Sequence, residues 1–481
     1  TPTPTPTPTD TSTADKVWSP LSVITIENPM DFGAVGDGNA DDLPALQATV
    51  NALPAVGGIV FFPAGKSFKK TNLLIITKSH VKLWSINRSA EIFQAIAGQT
   101  RHQSILCRSN TGCGVFGLKL RSDATARFDA LEDNQISFDK TTLVEVVGNE
   151  VQGSAAAAIF LFGSKQHYIE GNYLHHTWAD HIHHTQGATV SFVWNNYILN
   201  EAPSKGDDGV ACVTYGTNSA RCSDMEWWNN TIIAAAWGRG YSVIGGNNIN
   251  IHDNWANNVA GAGIIVASEG SYDTSASQGI TITDNTVQNC GNGGSHPNIL
   301  ISGMSTTAGP LKDIALSNNI SVDAKNGPYR AEGQFENVTN TNLMSAKTAL
   351  KSPTPTVANI KLADTSVLRT RDASHVPPEV RAGLYRIHVR RTQIGTFEQR
   401  FEYIVKGPPE VVSTYVNARI AADDFLSEQK TVDGTAYALL LTAAPISLPS
   451  TMQPVSFGEL RDTDRSGKLS WLWTRIDAGT Y

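Results

Sequence analysis

Between residues 149 and 319 the chain repeats one pattern seven times: a Gly-Asn, Asn-Asn or Asp-Asn step, then a short run in which apolar and polar residues alternate. The second residue of the step falls at Asn149, Asn172, Asn196, Asn230, Asn254, Asn285 and Asn319, at intervals of 23, 24, 34, 24, 31 and 34 residues. Alternation over a few residues predicts strands, and a fixed period predicts stacked units of a solenoid. The floor of 23–24 residues reads as one coil, and the longer intervals as coils carrying surface loops. Asn suits a tight corner, because it tolerates the left-handed conformation and can bond the same residue one rung up.

The flanks differ. Residues 1–9 read TPTPTPTPT, an extended semi-rigid segment, and residues 1–16 are assigned as a Thr/Pro-rich linker of the kind that tethers exported modules. In NPMDFGAVGDGNADDLPALQATVNAL, beginning at Asn28, a short strand leads into turns at Gly33, Gly36 and Gly38. Asp41 or Asp42 is then placed to cap a helix carrying Leu43, Leu46 and Val50 at helical spacing. Gly57-Gly58 ends this unit, and Ile59–Phe62 reads as a buried strand. After about residue 345 the Asn repeat stops and KSPTPTV forms a second Thr/Pro junction. GLYRIHVRR and FEQRFEYIVKG read as strands and the segment after Pro408-Pro409 as an amphipathic helix, so 351–481 is expected to be a separate α+β module. DTDRSGKLS from Asp462 echoes a calcium loop, but its twelfth position is Trp473 where a bidentate Glu is needed, so a surface turn is expected.

The N-terminal stretch resembles the pectate-lyase/polygalacturonase superfamily, whose members open with DFGAxGDGxxDDTxAIQ and then GGxVxxPxG; here GGIVFFPAG follows at Gly57, and Leu43-Pro44 replace the usual Thr-x. The resemblance implies an all-β chain folded as a single-stranded right-handed parallel β-helix over 17–350, with an N-terminal capping helix and a smaller C-terminal α+β module.

Composition narrows the function. The chain has 37 Lys+Arg against 44 Asp+Glu, a net charge of −7, so no basic footprint for nucleic acid is expected. No apolar run of about 18 residues exists, so no membrane span is expected. No charged-then-apolar leader is present, the expectation being that any signal peptide has been removed or was never there; a secreted protein is expected. Five scattered Cys match neither a disulfide scaffold nor a zinc pattern.

Stacked coils bring equivalent residues into register about 4.8 Å apart. Aligning the strands that follow the Asn corners gives Asp180-His181-Ile182-His183, Asp208-Gly209-Val210-Ala211, Arg239-Gly240-Tyr241-Ser242 and Ala262-Gly263-Ile264-Ile265. The third residue is always apolar and so inward-facing, which makes Asp180, Asp208 and Arg239 an outward column with Asp207 beside it. Crowded carboxylates force their pKa values apart, leaving one protonated and another ionised, as hydrolysis of a glycosidic bond requires. The same strands resemble polygalacturonase-type glycoside hydrolases, which carry NTDGIHV, GDDCI and GHGISIG on successive coils; here WADHIHHT, KGDDGVACV and WGRGYSVIGG stand in that order. The resemblance implies an inverting hydrolase with Asp208 as general acid, Asp207 and Asp180 holding the attacking water, and His183 at the substrate. The family's His of GHG is Arg239 here, and its RIK pattern is missing, so the resemblance does not extend to galacturonan specificity, and an acidic or plant/microbial polysaccharide is the expected substrate. Arg239 and Lys205 are assigned to binding, as cations able to read an acidic polysaccharide. Tyr215 and Glu269, each seven residues after an aligned position, are further substrate-site candidates.

Several features remain open at this level. A polysaccharide lyase or uronate epimerase, recruiting His183, Tyr215 or Arg239, and a non-catalytic tailspike-like glycan binder are the alternatives. His175, His176, His181, His183 and His184 suggest a metal, but strand alternation puts His181 and His183 on one face and His184 on the other, so no metal and no cofactor are expected. Trp178, Trp194, Trp227, Trp228, Trp237 and Trp255 crowd the same coils and suit sugar stacking if exposed, corner filling if buried.

Overall fold

The computed structural model describes residues 24–346, except 86–87, 97–103, 201–204, 217–218, 235–236 and 306, together with eight strands between 383 and 475. Within 24–346 the chain winds through three long sheets of 12, 12 and 10 strands, in which each strand pairs in parallel with its equivalent one coil later, and Thr451–Met452 adds antiparallel to the edge strand Ile24–Glu27 of the first. One coil comprises Ile182–Thr185, Thr189–Trp194 and Tyr197–Asn200; the next comprises Val210–Val213, Ser223–Trp228 and Thr231–Ala234. The interior is built of apolar columns such as Ile159, Ile182, Val210, Tyr241, Ile264 and Ile299, all 0% exposed. Each buried side chain of this kind contributes about 1.5–3 kcal/mol, which is why the repeat demands an apolar residue there.

The helix spans Leu43–Ala52 and buries Leu46 and Val50 against the first coils. Its two candidate caps divide the work. Asp41 accepts the Leu43 N–H at 3.2 Å, whereas Asp42, 2% exposed, turns back to accept Val35 N–H at 2.6 Å and Gly36 N–H at 3.1 Å. Asp42 therefore fixes the Gly-rich turn that brings the helix onto the open end of the solenoid, covering edges that would otherwise pair with other chains.

The seven Asn residues form a buried ladder. The Asn149 oxygen accepts the Leu118 N–H, and each of the six later oxygens accepts the backbone N–H and the Nδ2 of the Asn one coil earlier, from Asn149 donating to Asn172 at 2.9 and 3.0 Å to Asn285 donating to Asn319. The left-handed conformation belongs to the residue before each one, namely Gly148, Gly171, Asn195, Asn229, Asp253, Asp284 and Asn318, with φ between 50° and 66°. The two demands expected of one Asn are thus split between neighbours. Asn230 illustrates the cost of losing a rung: its amide also serves the Val193 and Trp228 carbonyls at 2.9 Å each and is buried. Asn230→Ala leaves several buried groups unpaired and is expected to lower stability by about 3 kcal/mol. Asn229→Gly, at φ 50°, is expected to be nearly neutral. Urea midpoints of the two variants check the difference.

Beyond residue 350, Gly383–Thr392 and Glu398–Gly407 are strands as expected, and they belong to a five-stranded antiparallel sheet. Asp462 pairs with Gly467 in antiparallel strands, and the turn expected at the calcium-like sequence, over 463–466, lies outside the described residues. The Thr/Pro segment 1–16 and the helix expected over 408–428 lie outside the described residues.

Candidate active site

The ten-stranded sheet carries the site. Its register is the one the sequence alignment requires: Ile182 pairs with Val210, Val210 with Tyr241, and Tyr241 with Ile264. These are the second strands after the Asn corners, with a short strand such as Tyr197–Asn200 between. Asp180, Asp208 and Arg239 precede them on successive rungs. The Asp208 N–H donates to Asp180 Oδ1 at 2.8 Å, and the Arg239 N–H donates to Asp208 Oδ1 at 3.0 Å. Each carboxylate thus caps the backbone of the next coil. Asp207 joins them, so that one oxygen from each of the three aspartates lies within 4.8 Å of the others.

Each carboxylate meets a different cation. Arg239 grips Asp208 with its fork, Nε to Oδ1 and Nη2 to Oδ2 at 2.8 Å each, and Nη1 reaches Glu269 Oε1 at 2.6 Å. Asp208 is 1% exposed. Asp180 Oδ2 is hydrogen-bonded to His183 Nδ1. Asp207, with its side chain 27% exposed, bonds Arg127 Nη1 at 2.9 Å, and Arg127 Nε also holds Asp129 at 2.7 Å. A divalent cation at the three carboxylates would therefore compete with two guanidinium groups and with the His183 imidazole.

These pairings separate the protonation states. Burial, then the charges of Asp208 and Asp180, push the Asp207 carboxyl up to about 7 despite Arg127. Burial also opposes ionisation of Asp180, but the charge and hydrogen bond of His183 and the Asp208 N–H outweigh it and hold that carboxyl below its ordinary value. Burial lowers and Asp180 raises the His183 imidazole, and the carboxylate wins. Tyr215 is pushed up, first by burial and then by Asp180 and Asp208.

The other candidates are scattered around this centre. His183 stacks between Phe160, with ring centroids 5.0 Å apart, and Tyr215, at 6.3 Å. Glu269 sits on the far side of Arg239. Lys205 is exposed and makes no ion pair among the described residues. His184 faces the interior, bonded to the Ala211 carbonyl and Ser191 Oγ. His181 faces the interior as well, contrary to the alternation expected from the strand. A Cβ at the equivalent Gly209 or Gly263 would strike the interior side chains of Ile232 or Val287, and one at Gly240 would strike the Gly263 carbonyl and touch Ala256. The chain bends just before each strand, so two successive residues point inward and the coil position favours Gly. Gly238 answers a further constraint: at φ 82° it lies against the Asp207 backbone with no room for a Cβ. Of the tryptophans, Trp227 is interior and Trp194 and Trp228 are buried in a stack 5.0 Å apart, whereas Trp237 is 59% exposed. Arg127, 80 residues before Asp207, had no signal in the sequence pattern.

Residues 134–342 match the family model described as the right handed beta helix region. The chain folds as a right-handed parallel β-helix. Over 40 residues it is 55% identical to the mannuronan C5-epimerases AlgE1 and AlgE3 of Azotobacter vinelandii, and those segments span 8% of this chain but only 3% and 2% of theirs. Similar solved structures include the catalytic domain of a GH87 alpha-1,3-glucanase in complex with nigerose, with 15% identity, 64% of each chain covered and a TM-score of 0.47. The surface protein and adhesin PfbA of Streptococcus pneumoniae is 14% identical over 67% of this chain and 100% of that one, with a TM-score of 0.45. The A-module of the Azotobacter vinelandii mannuronan C-5 epimerase AlgE6 is 15% identical over the same shares, with a TM-score of 0.43.

Proposed function

We propose that this protein is a polysaccharide-active enzyme of the extracellular space, a glycoside hydrolase that cleaves its substrate with inversion at the Asp180/Asp207/Asp208 centre. The observation that carries this reading is three carboxylates meeting within 4.8 Å, with Asp207 held near neutrality and Asp180 held ionised. That is one proton donor and one proton acceptor at a single glycosidic linkage. Asp207, the more accessible of the pair, gives its proton to the departing glycosidic oxygen. Asp180 takes a proton from the water that adds to the anomeric carbon. Asp208, clamped by Arg239, stabilises positive charge developing on the sugar ring. The family resemblance gives the acid role to Asp208, but a buried carboxylate gripped through both oxygens is a poor donor.

Two considerations bear on stereochemistry. The carboxylate oxygens are closer than the about 6.5–9.5 Å usual in inverting enzymes and nearer the about 5 Å of retaining ones. Against this, both Asp208 oxygens are engaged by Arg239 and both Asp180 oxygens by Asp208 N–H and His183. One hydrogen bond leaves each Asp180 oxygen a second acceptor site for a water proton, whereas a glycosyl-enzyme bond would have to displace a partner, which favours direct attack by water. Proton NMR of the first-formed anomer decides between them. Elimination is disfavoured, because Tyr215 is pushed above its ordinary value and His183 Nδ1 is taken up by its hydrogen bond with Asp180.

Incubation with neutral and acidic polysaccharides, following reducing ends and ultraviolet absorbance together, is expected to give reducing ends without absorbance. Absorbing unsaturated products would establish a lyase. Binding without turnover would establish a glycan-binding protein.

A further inference from the structure

Arg239 and Arg127 are the guanidinium groups beside the carboxylates, and both are committed. Arg239 spends three N–H groups on Asp208 and Glu269, and Arg127 is shared between Asp129 and Asp207. Beyond Arg239 a cleft of about 370 Å³ opens along the sheet. Its floor is apolar: Ile265, Leu300 and Ala267 are outward-facing yet only 2–3% exposed. Its charged lining beside Arg239 is Glu269 and Glu332, the latter ion-paired with Arg330 at 2.8 Å. His296, also in the lining, is held below its ordinary pKa by burial and by Arg239 and Arg330, and so is neutral near pH 7.

A uronate carboxylate entering this cleft would meet two glutamates and would have to displace Glu269 or Asp208 from Arg239. Stripping one partner from a buried ion pair is strongly unfavourable. Apolar surface is available instead. The large aromatics exposed among the described residues are Tyr215 at 39%, Trp237 at 59%, Tyr272 at 61% and Phe335 at 43%. Tyr215 and Tyr272 belong to this neighbourhood, and Trp237 lies two residues before Arg239 in the chain. Tyr215 stacks beside His183, Trp237 precedes the Gly238-Arg239 pair, and Tyr272 lines the cleft and meets Tyr215 edge-on at 6.3 Å. Aromatic faces left in water are unusual unless something covers them, and a pyranose offers a face of C–H groups of matching polarity.

We infer that the cleft takes a neutral polysaccharide, its sugar rings laid on Tyr272, Tyr215 and Trp237, and discriminates against uronans. This rests on the hydrolase reading and replaces the acidic substrate expected from Arg239 and Lys205. The test pairs neutral glycans (α- and β-glucans, xylan, mannan) with polygalacturonate and alginate, and scores both cleavage and retardation in affinity electrophoresis. The expected result is cleavage of at least one neutral glycan, no cleavage of either uronan, and a KM for the neutral glycan at least fivefold higher in Tyr272→Ala. Retardation by a neutral glycan without cleavage would uphold the substrate class while removing the hydrolase assignment. Cleavage of a uronan, above all cleavage lost in Lys205→Ala, would overturn the inference and leave the hydrolase assignment standing. Failure to bind or cleave any neutral glycan would also overturn it.

Discussion

Asp207→Asn is expected to reduce kcat on the cleaved polysaccharide by about 10²–10⁴-fold, the usual worth of a general acid, without loss of the fold. The native enzyme should show a bell-shaped pH profile. Its alkaline limb falls near pH 7, where Asp207 loses its proton. Its acid limb lies below the ordinary carboxylate range, where Asp180 becomes protonated. The same substitution is expected to help stability at high pH. A carboxyl whose pKa is raised in the folded state binds its proton more tightly there than in the unfolded chain. Folding stability is therefore lost as pH rises from about 4, the unfolded value, through about 7. An Asn escapes that loss, so the melting temperature of Asp207→Asn should exceed that of the native protein at pH 8 but not at pH 4. Retention of more than a tenth of kcat, or a native rate undiminished at pH 9, would remove Asp207 from the acid role.

Arg239→Ala is expected to be the most destabilising substitution at the site. It leaves Asp208, 1% exposed, as an uncompensated buried charge, and breaking a buried pair in this way costs about 3–5 kcal/mol. It also strips two N–H donors from Asp208 and releases Glu269. Asp208→Asn in the Arg239→Ala background should recover a large part of the loss, because no charge is then stranded. A double-mutant cycle on thermal midpoints, with both single variants and the pair, measures the coupling. Additive effects would mean that the fork is not what neutralises Asp208. Arg239→Lys should fall between, keeping the charge but not the two-pronged contact.

The parts of this molecule that were legible in the sequence are those that repeat. The Asn step marks the coils, and the apolar third residue at Ile182, Val210, Tyr241 and Ile264 fixes the register, which brings Asp180, Asp208 and Arg239 onto one column. Uniform pairing from coil to coil makes such placement reliable. What escaped was whatever depended on departures from the repeat. His181 turns inward because the chain bends ahead of the strand, a geometry that Gly209, Gly240 and Gly263 hint at only once their crowding is known. Arg127 comes from a loop far upstream, and nothing in its neighbours distinguishes it from any exposed arginine. The direction of the Arg239 fork decides whether that residue reads substrate or restrains Asp208, and sequence spacing carries no information about side-chain aim.

The row of seven amides has a consequence for how the molecule is assembled. From Asn149 to Asn285 each NH₂ donates both forward, to the oxygen of the Asn one coil later, and back, to a backbone carbonyl one coil earlier. Each amide therefore ties its own coil to the coils on both sides of it. A defect in mid-row would then leave unpaired groups on two neighbouring coils at once.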